Sequence, residues 1–508
     1  MNIANWLHAT ALLRPDAPAI YHGESLYADY RRFAQEASHI GQRLVQNFGL
    51  QPGDRVALYM QNRVEYLSLL YAIWWVGAVA VPINYKLHAK EAAWIVGNAQ
   101  ATLLFSDDGM LHDAADLSSC RELGMKDGAF NTLVEGAAHD GLAAPASVSS
   151  NTLAWLFYTS GTTGRPKGVM LTHGNLMAMS LCYAVDVDNV STDDTMLYAA
   201  PLSHGAGLYN FVHVRFGARH MVPQSGGFDS NEILGLGASV GNLCFFAAPT
   251  MVKRLVQAAK AAHADGAGIK TIVCGGGPMY AADMVDALDT LGPRFAQIYG
   301  QGESPMTITA MRREVISGRD HPKWHERLAS VGTAHSCVEV RVVSEDMADM
   351  PAGDCGEVIV RGSTVMQGYW RNEEATRQTL VQGWLKTGDI GYLSSDGFLT
   401  LTDRSKDVII SGGSNIYPRE VEEVLARCPG VFEAAVIGAP HPDWGEEVVA
   451  FIVVQPGSAI DAAALDAWCK SEIASFKKPK RYEFCPELPK NSYGKILKTE
   501  LRQRLSST

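Results

Sequence analysis

The sequence predicts an α/β protein: a large N-terminal domain of parallel α/β subdomains plus a small β-rich subdomain, then a small C-terminal α+β domain. Helical patterns alternate with short β-rich runs such as 55–59 (Arg-Val-Ala-Leu-Tyr) and 271–274 (Thr-Ile-Val-Cys), as parallel sheets with crossover helices require. Near Val338 the texture changes to short strands set off by turn residues, at 338–343, 356–361 and 397–402. The charged, turn-rich stretch Asp403-Arg404-Ser405-Lys406-Asp407 reads as a linker before helix and strand resume, which divides the chain into 1–402 and 403–508. With 508 residues the chain is long enough for more than one core.

Composition narrows the class of partner. Hydrophobic residues make up 47% and charged residues 19%, ordinary values for a globular protein. A formal net charge of −11 argues against nucleic acid or an anionic membrane as the main partner, so any bound polyanion must be met by local donors. Nine cysteines (Cys120, Cys182, Cys244, Cys274, Cys337, Cys355, Cys428, Cys469, Cys485) lack C-x-x-C pairs, so neither zinc spacing nor a disulfide framework is read, and a cytoplasmic location is expected. The N-terminus shows no signal peptide. Residues 66–85 carry no charge and are long enough to span a bilayer, but Gly77 and Pro82 divide them into a helix ending near Trp75 and a strand at 78–81. No integral membrane segment is therefore expected.

Residues 158–169, Tyr-Thr-Ser-Gly-Thr-Thr-Gly-Arg-Pro-Lys-Gly-Val, carry the clearest chemistry. They follow the apolar run 153–158, which has the composition of a buried strand. A strand opening into a loop of N–H and O–H donors, with Lys167 adding a point charge, is suited to anionic oxygen. The spacing is not that of G-x-x-x-x-G-K-[ST], and a polar surface turn is the plain alternative. Three further stretches fit a bound nucleotide. Tyr299-Gly300-Gln301-Gly302-Glu303 offers a ring for a base and a carboxylate for Mg²⁺. Asp389 follows a tight turn and can accept from ribose hydroxyls, and Lys495 stands on a loop near the C-terminus. Singly, each also reads as an ordinary surface or turn residue.

Together, residues 158–169, 299–303, 384–389, 403–422 and 489–495 stand in the order and spacing of the adenylate-forming superfamily, which the chain resembles over nearly its whole length. The resemblance implies an ATP-dependent carboxylate–CoA ligase that makes an acyl-adenylate with release of pyrophosphate and then a thioester. Its cofactors and co-substrates would be ATP, Mg²⁺ and coenzyme A. It implies that Thr159, Ser160, Gly161, Thr162, Thr163, Gly164 and Lys167 hold the β- and γ-phosphates. Tyr299 would stack on adenine beside Gly275, Gly276 and Gly277, with Gly300 and Gly302 in the same wall. Glu303 would hold Mg²⁺, Asp389 and Arg404 the ribose, and Lys495 would be the catalytic lysine. Lys406 would be the hinge of a mobile C-terminal domain, and Gly413 would lie beside the thiol donor's arm. His204 matches a position beside the acyl carboxylate, against a packed loop histidine as the plain reading.

The chain departs from the family at Gly302, where many relatives carry threonine; Ser304 is the nearest replacement for that hydroxyl. His173 reads as helix-start chemistry and His441 as part of a surface motif. The small-molecule acid is expected to be a medium- or long-chain fatty acid, with an aromatic (benzoate- or hydroxycinnamate-type) acid second. Arg215, Arg219 and His220 are the cations nearest the His204 motif, and Asp229 is the nearest candidate amino-acid anchor, read as surface. A freestanding enzyme loading a carrier protein and a non-catalytic nucleotide binder are the other readings. The basic run 477–481 suits CoA or an acidic carrier equally. A homodimer stays open as the assembly.

Overall fold

The computed structural model describes residues 1–107, 120–126, 128–137, 141–159, 165–404, 407–411, 414–491 and 496–506. Among the described residues four sheets organise the fold. The largest has nine strands in the order Thr333–Ala334, Ser304–Met311, Phe295–Gln301, Ile269–Cys274, Leu243–Ala247, Thr195–Leu197, Arg219–Val222, Pro18–His22 and Ser25–Asp29. Its interior pairs are parallel and its edges antiparallel. A six-stranded sheet is parallel apart from the pair Leu153–Thr159 with Lys167–Thr172.

The uncharged run resolves as the sequence predicts. Residues 66–75 are all buried in the helix Glu65–Trp75, whose 11 residues make a core element where a membrane span needs about 20. The strand Val79–Ile83 follows, with Pro82 beside Leu58 in its parallel ladder to Arg55–Tyr59. Among the described residues no helix is long and apolar enough to cross a membrane.

The expected β-rich unit is an antiparallel sheet of Val338–Val343, Gly356–Gly362, Trp384–Leu393, Leu380–Val381 and Leu399–Arg404. Beyond it, Val431–His441 and Gly445–Val454 form a hairpin covered by the helix Pro418–Ala426. That helix docks on the large domain: Tyr280 donates to Glu422 Oε2 at 3.2 Å and Arg419 to the Ala329 carbonyl at 3.3 Å. Glu422 also accepts from Val436 N–H at 2.8 Å and pairs with Lys498 at 3.0 Å, so one buried carboxylate serves both sides of the contact.

Candidate active site

The strands on either side of the Ser/Thr/Gly stretch, Leu153–Thr159 and Lys167–Thr172, pair antiparallel. Thr159 stands opposite Lys167 in the ladder, and both line a cavity of about 880 Å³. Ser160, Gly161, Thr162, Thr163 and Gly164, between them, lie outside the described residues. A second hairpin meets the first: Gln301 pairs with Ser304, so Gly302 and Glu303 form its turn. The Glu303 carbonyl accepts from Met366 N–H at 2.8 Å, and Tyr369 O–H donates to Glu303 Oε1 at 2.6 Å. The Lys167 ammonium lies 5.0 Å from the centroid of the same Tyr369 ring. Tyr369 thus ties the Lys167 ammonium to the Glu303 carboxylate. One carboxylate beside phosphate donors is the usual protein share of a Mg²⁺ site, since the ion takes its other ligands from phosphate and water. Glu303 fits that role.

Gly302 has a packing reason. A Cβ there would lie 2.3 Å from Thr159 Cγ2 and 3.1 Å from Phe157 Cδ1. The methyl of Thr159 occupies the space a threonine at 302 would need. Ser304 does not replace the missing hydroxyl, contrary to the expectation from sequence. It is fully buried, and its Oγ faces Thr364 Oγ1 at 2.9 Å and the Thr307 carbonyl at 3.3 Å.

Asp389, in the strand Trp384–Leu393, is buried. Its Oδ2 accepts from Tyr299 O–H at 2.5 Å and from Gln301 Nε2 at 2.6 Å, and Gln301 also donates to the Thr387 carbonyl at 2.9 Å. Two donors on one oxygen fix the carboxylate's orientation. Tyr299 and Asp389 flank the cavity, whereas Gly300, Gln301, Gly302, Thr387 and Gly388 line it. Arg404 is the ladder partner of Asp389, its side chain lying outside the described set. Of the three glycines after Ile269–Cys274, only Gly276 reaches the cavity. Gly275 packs on Ile298, where a Cβ would come within 2.5 Å of Cδ1, and Gly277 faces Pro249.

At the other end His204 lies 4.5 Å from Phe157, ring centroid to centroid, in a tilted stack. Burial pulls its pKa down to about 3, so the side chain is a neutral imidazole able to donate a hydrogen bond rather than a cation. Arg215, Arg219 and His220 do not line this cavity. Arg215 is exposed, Arg219 donates to the Asp193 carbonyl, and His220 is buried with Nδ1 2.8 Å from Tyr198 O–H. Arg254 lines it instead, its guanidinium 5.1 Å from the Phe228 ring centroid. Asp229 caps the helix Ser230–Val240 by accepting from Glu232 N–H. His173 begins the helix His173–Cys182 and accepts from Ile3 N–H at 3.1 Å, a structural role.

Lys406, Gly413 and Lys495 lie outside the described residues. The basic run is largely neutralised: Lys477 pairs with Glu420, Lys478 with Asp466 and Arg481 with Glu483. Sequence reasoning missed Gln301, Tyr369 and Arg254. Gln301 sits inside a recognised motif, but its partner Asp389 is 88 residues away. Tyr369 is brought in by a backbone clasp, Trp370 N–H to the Gly168 carbonyl at 2.7 Å, that no local pattern encodes.

Residues 7–370 match the AMP-binding enzyme family and residues 420–495 the AMP-binding enzyme C-terminal domain. The chain is 35% identical to a feruloyl-CoA synthase from Amycolatopsis sp over 99% of both chains. It is 33% identical to a 2-succinylbenzoate–CoA ligase from Bacillus licheniformis, covering 99% of this chain and 100% of that one. Among solved structures it is similar to ATP-bound MatB from Rhodopseudomonas palustris, with TM-score 0.87 and 30% identity over 99% of both chains. Hairpin, carboxylate pair and sequence match agree: the chain belongs to the AMP-binding enzyme family, within the adenylate-forming superfamily.

Proposed function

We propose that the chain is an ATP-dependent carboxylate–CoA ligase acting on an aromatic acid. One observation carries this reading: a single cavity joins a phosphate-handling end (Thr159, Lys167, Glu303) to an end walled by His204, Phe157 and Phe228. Acid activation needs that junction, because a carboxylate must be brought to the α-phosphorus of ATP against the repulsion of two anions. A carboxylate oxygen bonds to the α-phosphorus as the bond to pyrophosphate breaks. The thiol sulfur then attacks the acyl carbon, the bond to AMP breaks, and the thiol proton passes to solvent.

Lys167, Thr159 and the loop 160–164 would hold the pyrophosphate oxygens, and Asp389 with Arg404 the ribose. Glu303 would hold Mg²⁺, which when bound neutralises phosphate charge. Tyr299 would stack on adenine, and Lys495 would bridge the incoming carboxylate and the α-phosphate. Rotation of residues 403–508 about Lys406 would exchange Lys495 for the Gly413 face before the thiol enters.

Support for an aromatic acid comes from the two rings of His204 and Phe157 and from Arg254, a cation that an alkyl tail cannot use. The relatives named for feruloyl and 2-succinylbenzoate substrates point the same way. A fatty acid of medium or long chain is the second reading, favoured by the apolar Met251, Met306, Ile298 and Leu208. CoA is preferred over a carrier protein because Trp444, exposed and stacked on His441, carries Lys480 at 5.3 Å, a pairing suited to a purine and its phosphates. The test is AMP release with ATP and CoA across hydroxycinnamic, benzoic and fatty acids. Acid-dependent AMP greatest with the aromatic acids is expected. No acid-dependent AMP from any of them sinks the ligase reading.

A further inference from the structure

The sequence shows no zinc spacing, yet the fold gathers four metal-type donors away from the nucleotide cavity. The helix His173–Cys182 runs into a π-helical turn, Tyr183–Val187, which places Cys182 and Asp186 four residues apart. His335 and Cys337 come from the short connection between Thr333–Ala334 and Val338–Val343. The ligand atoms of Cys182, Asp186 and His335 all lie within 4.8 Å of one another. A tetrahedral site with metal–ligand bonds of about 2.0–2.3 Å has ligands about 3.3–3.8 Å apart, so a small contraction closes the set.

His335 is almost wholly buried, with Nδ1 3.2 Å from Asp186 Oδ2, already about the ligand-to-ligand spacing of a tetrahedral zinc site. The Cys337 side chain lies within hydrogen-bond reach of Cys182. Asp186 is fixed by Ser336 N–H at 2.9 Å and Ser336 O–H at 2.6 Å, so the donors are pre-oriented. A cavity of about 160 Å³, lined in part by Asp186, Thr333 and Ala334, gives an entry path.

We propose that Cys182, Asp186, His335 and Cys337 form a binding site for a divalent transition metal of the zinc class. Thiol and imidazole donors favour zinc, cobalt or iron over Mg²⁺ and Ca²⁺, which prefer oxygen. Binding forms metal–sulfur bonds as Cys182 and Cys337 each lose a proton to solvent, and the 2+ charge offsets the thiolates. The ion pins the helix His173–Cys182 to the leading edge of the β-rich sheet that carries Asp389.

The full-length chain, stripped with a chelator and free of ATP, is titrated with Co²⁺. One equivalent should bind with a thiolate-to-cobalt charge-transfer band, be displaced by one equivalent of Zn²⁺, and raise the thermal midpoint. Cys182→Ser and His335→Gln should each weaken binding by at least about tenfold, while Glu303→Gln leaves the band intact. Should Cys182→Ser fail to fold, the partly exposed Cys337→Ser gives the same readout through a weakened band. A titration without a stoichiometric band, a band undiminished in the folded cysteine variants, or a Cys182–Cys337 disulfide with no metal uptake after reduction overturns the proposal.

Discussion

At Asp389 one carboxylate oxygen receives both Tyr299 and Gln301, so the group proposed to bind the ribose is positioned by two side chains that sequence reading assigned elsewhere or not at all. Gln301→Leu removes a bond to a charged acceptor, worth about 1.5–3 kcal/mol. The expected outcome is a KM for ATP raised about 10- to 100-fold with the KM for the acid unchanged; equal changes in both would count against it. Gly302→Ala forces a Cβ onto Thr159, so activity should fall sharply. Thr159→Ser, which keeps the hydroxyl and deletes the offending methyl, should restore much of it in the double variant. Additive losses in that cycle would show that the contact is not the cause. Glu303 and Asp389 could be singled out as candidates because their motifs are written locally, and the structure brings both to the edge of one cavity. Ser304 misled because a hydroxyl's neighbours, here Thr364 sixty positions away, are not written locally.

Among the elements, the helix Pro418–Ala426 holds the C-terminal unit to the large domain through Glu422 and Arg419. Tyr280→Phe deletes a donor to Glu422 from the large-domain side only. If residues 403–508 rotate between half-reactions, loosening this docking changes the ratio of acyl-adenylate to thioester formation in single-turnover assays. An unchanged ratio with both rates intact would argue against a mobile unit. Lys495→Ala should abolish adenylation yet spare thioester formation from supplied acyl-adenylate, measured as CoA consumption; equal loss of both steps contradicts the exchange. Strand positions were largely legible, since 55–59 and 338–343 carry alternating or continuous apolar runs bounded by turns. The π-helical turn Tyr183–Val187 was not, because nothing local separates it from ordinary helix.

Over the whole molecule, buried histidines set a pH sensitivity. His173, His213 and His220 are fully buried, and burial lowers the pKa of each, that of His173 to about 4. In the unfolded chain they take up protons near 6.5, so the folded state loses stability as pH falls through that value toward the folded ones. For His173 alone the loss is about 2 kcal/mol at pH 5. His335 acts oppositely: burial lowers its pKa, Asp186 and Cys182 raise it more, and its contribution fades as pH rises through the raised value. Three groups outweigh one, so the urea midpoint should drop between about pH 7 and pH 5; a constant or rising midpoint refutes the balance. Sheet order was the least legible feature. Ile20 pairs with His220 across two hundred residues, and only tertiary burial selects that neighbour.

The contact between residue 302 and the Thr159 methyl also couples the two hairpins. In this packing a larger side chain at 302 fits only where residue 159 gives up its methyl or the turn shifts. The two turns therefore share one steric allowance, and a change in either is felt by the other.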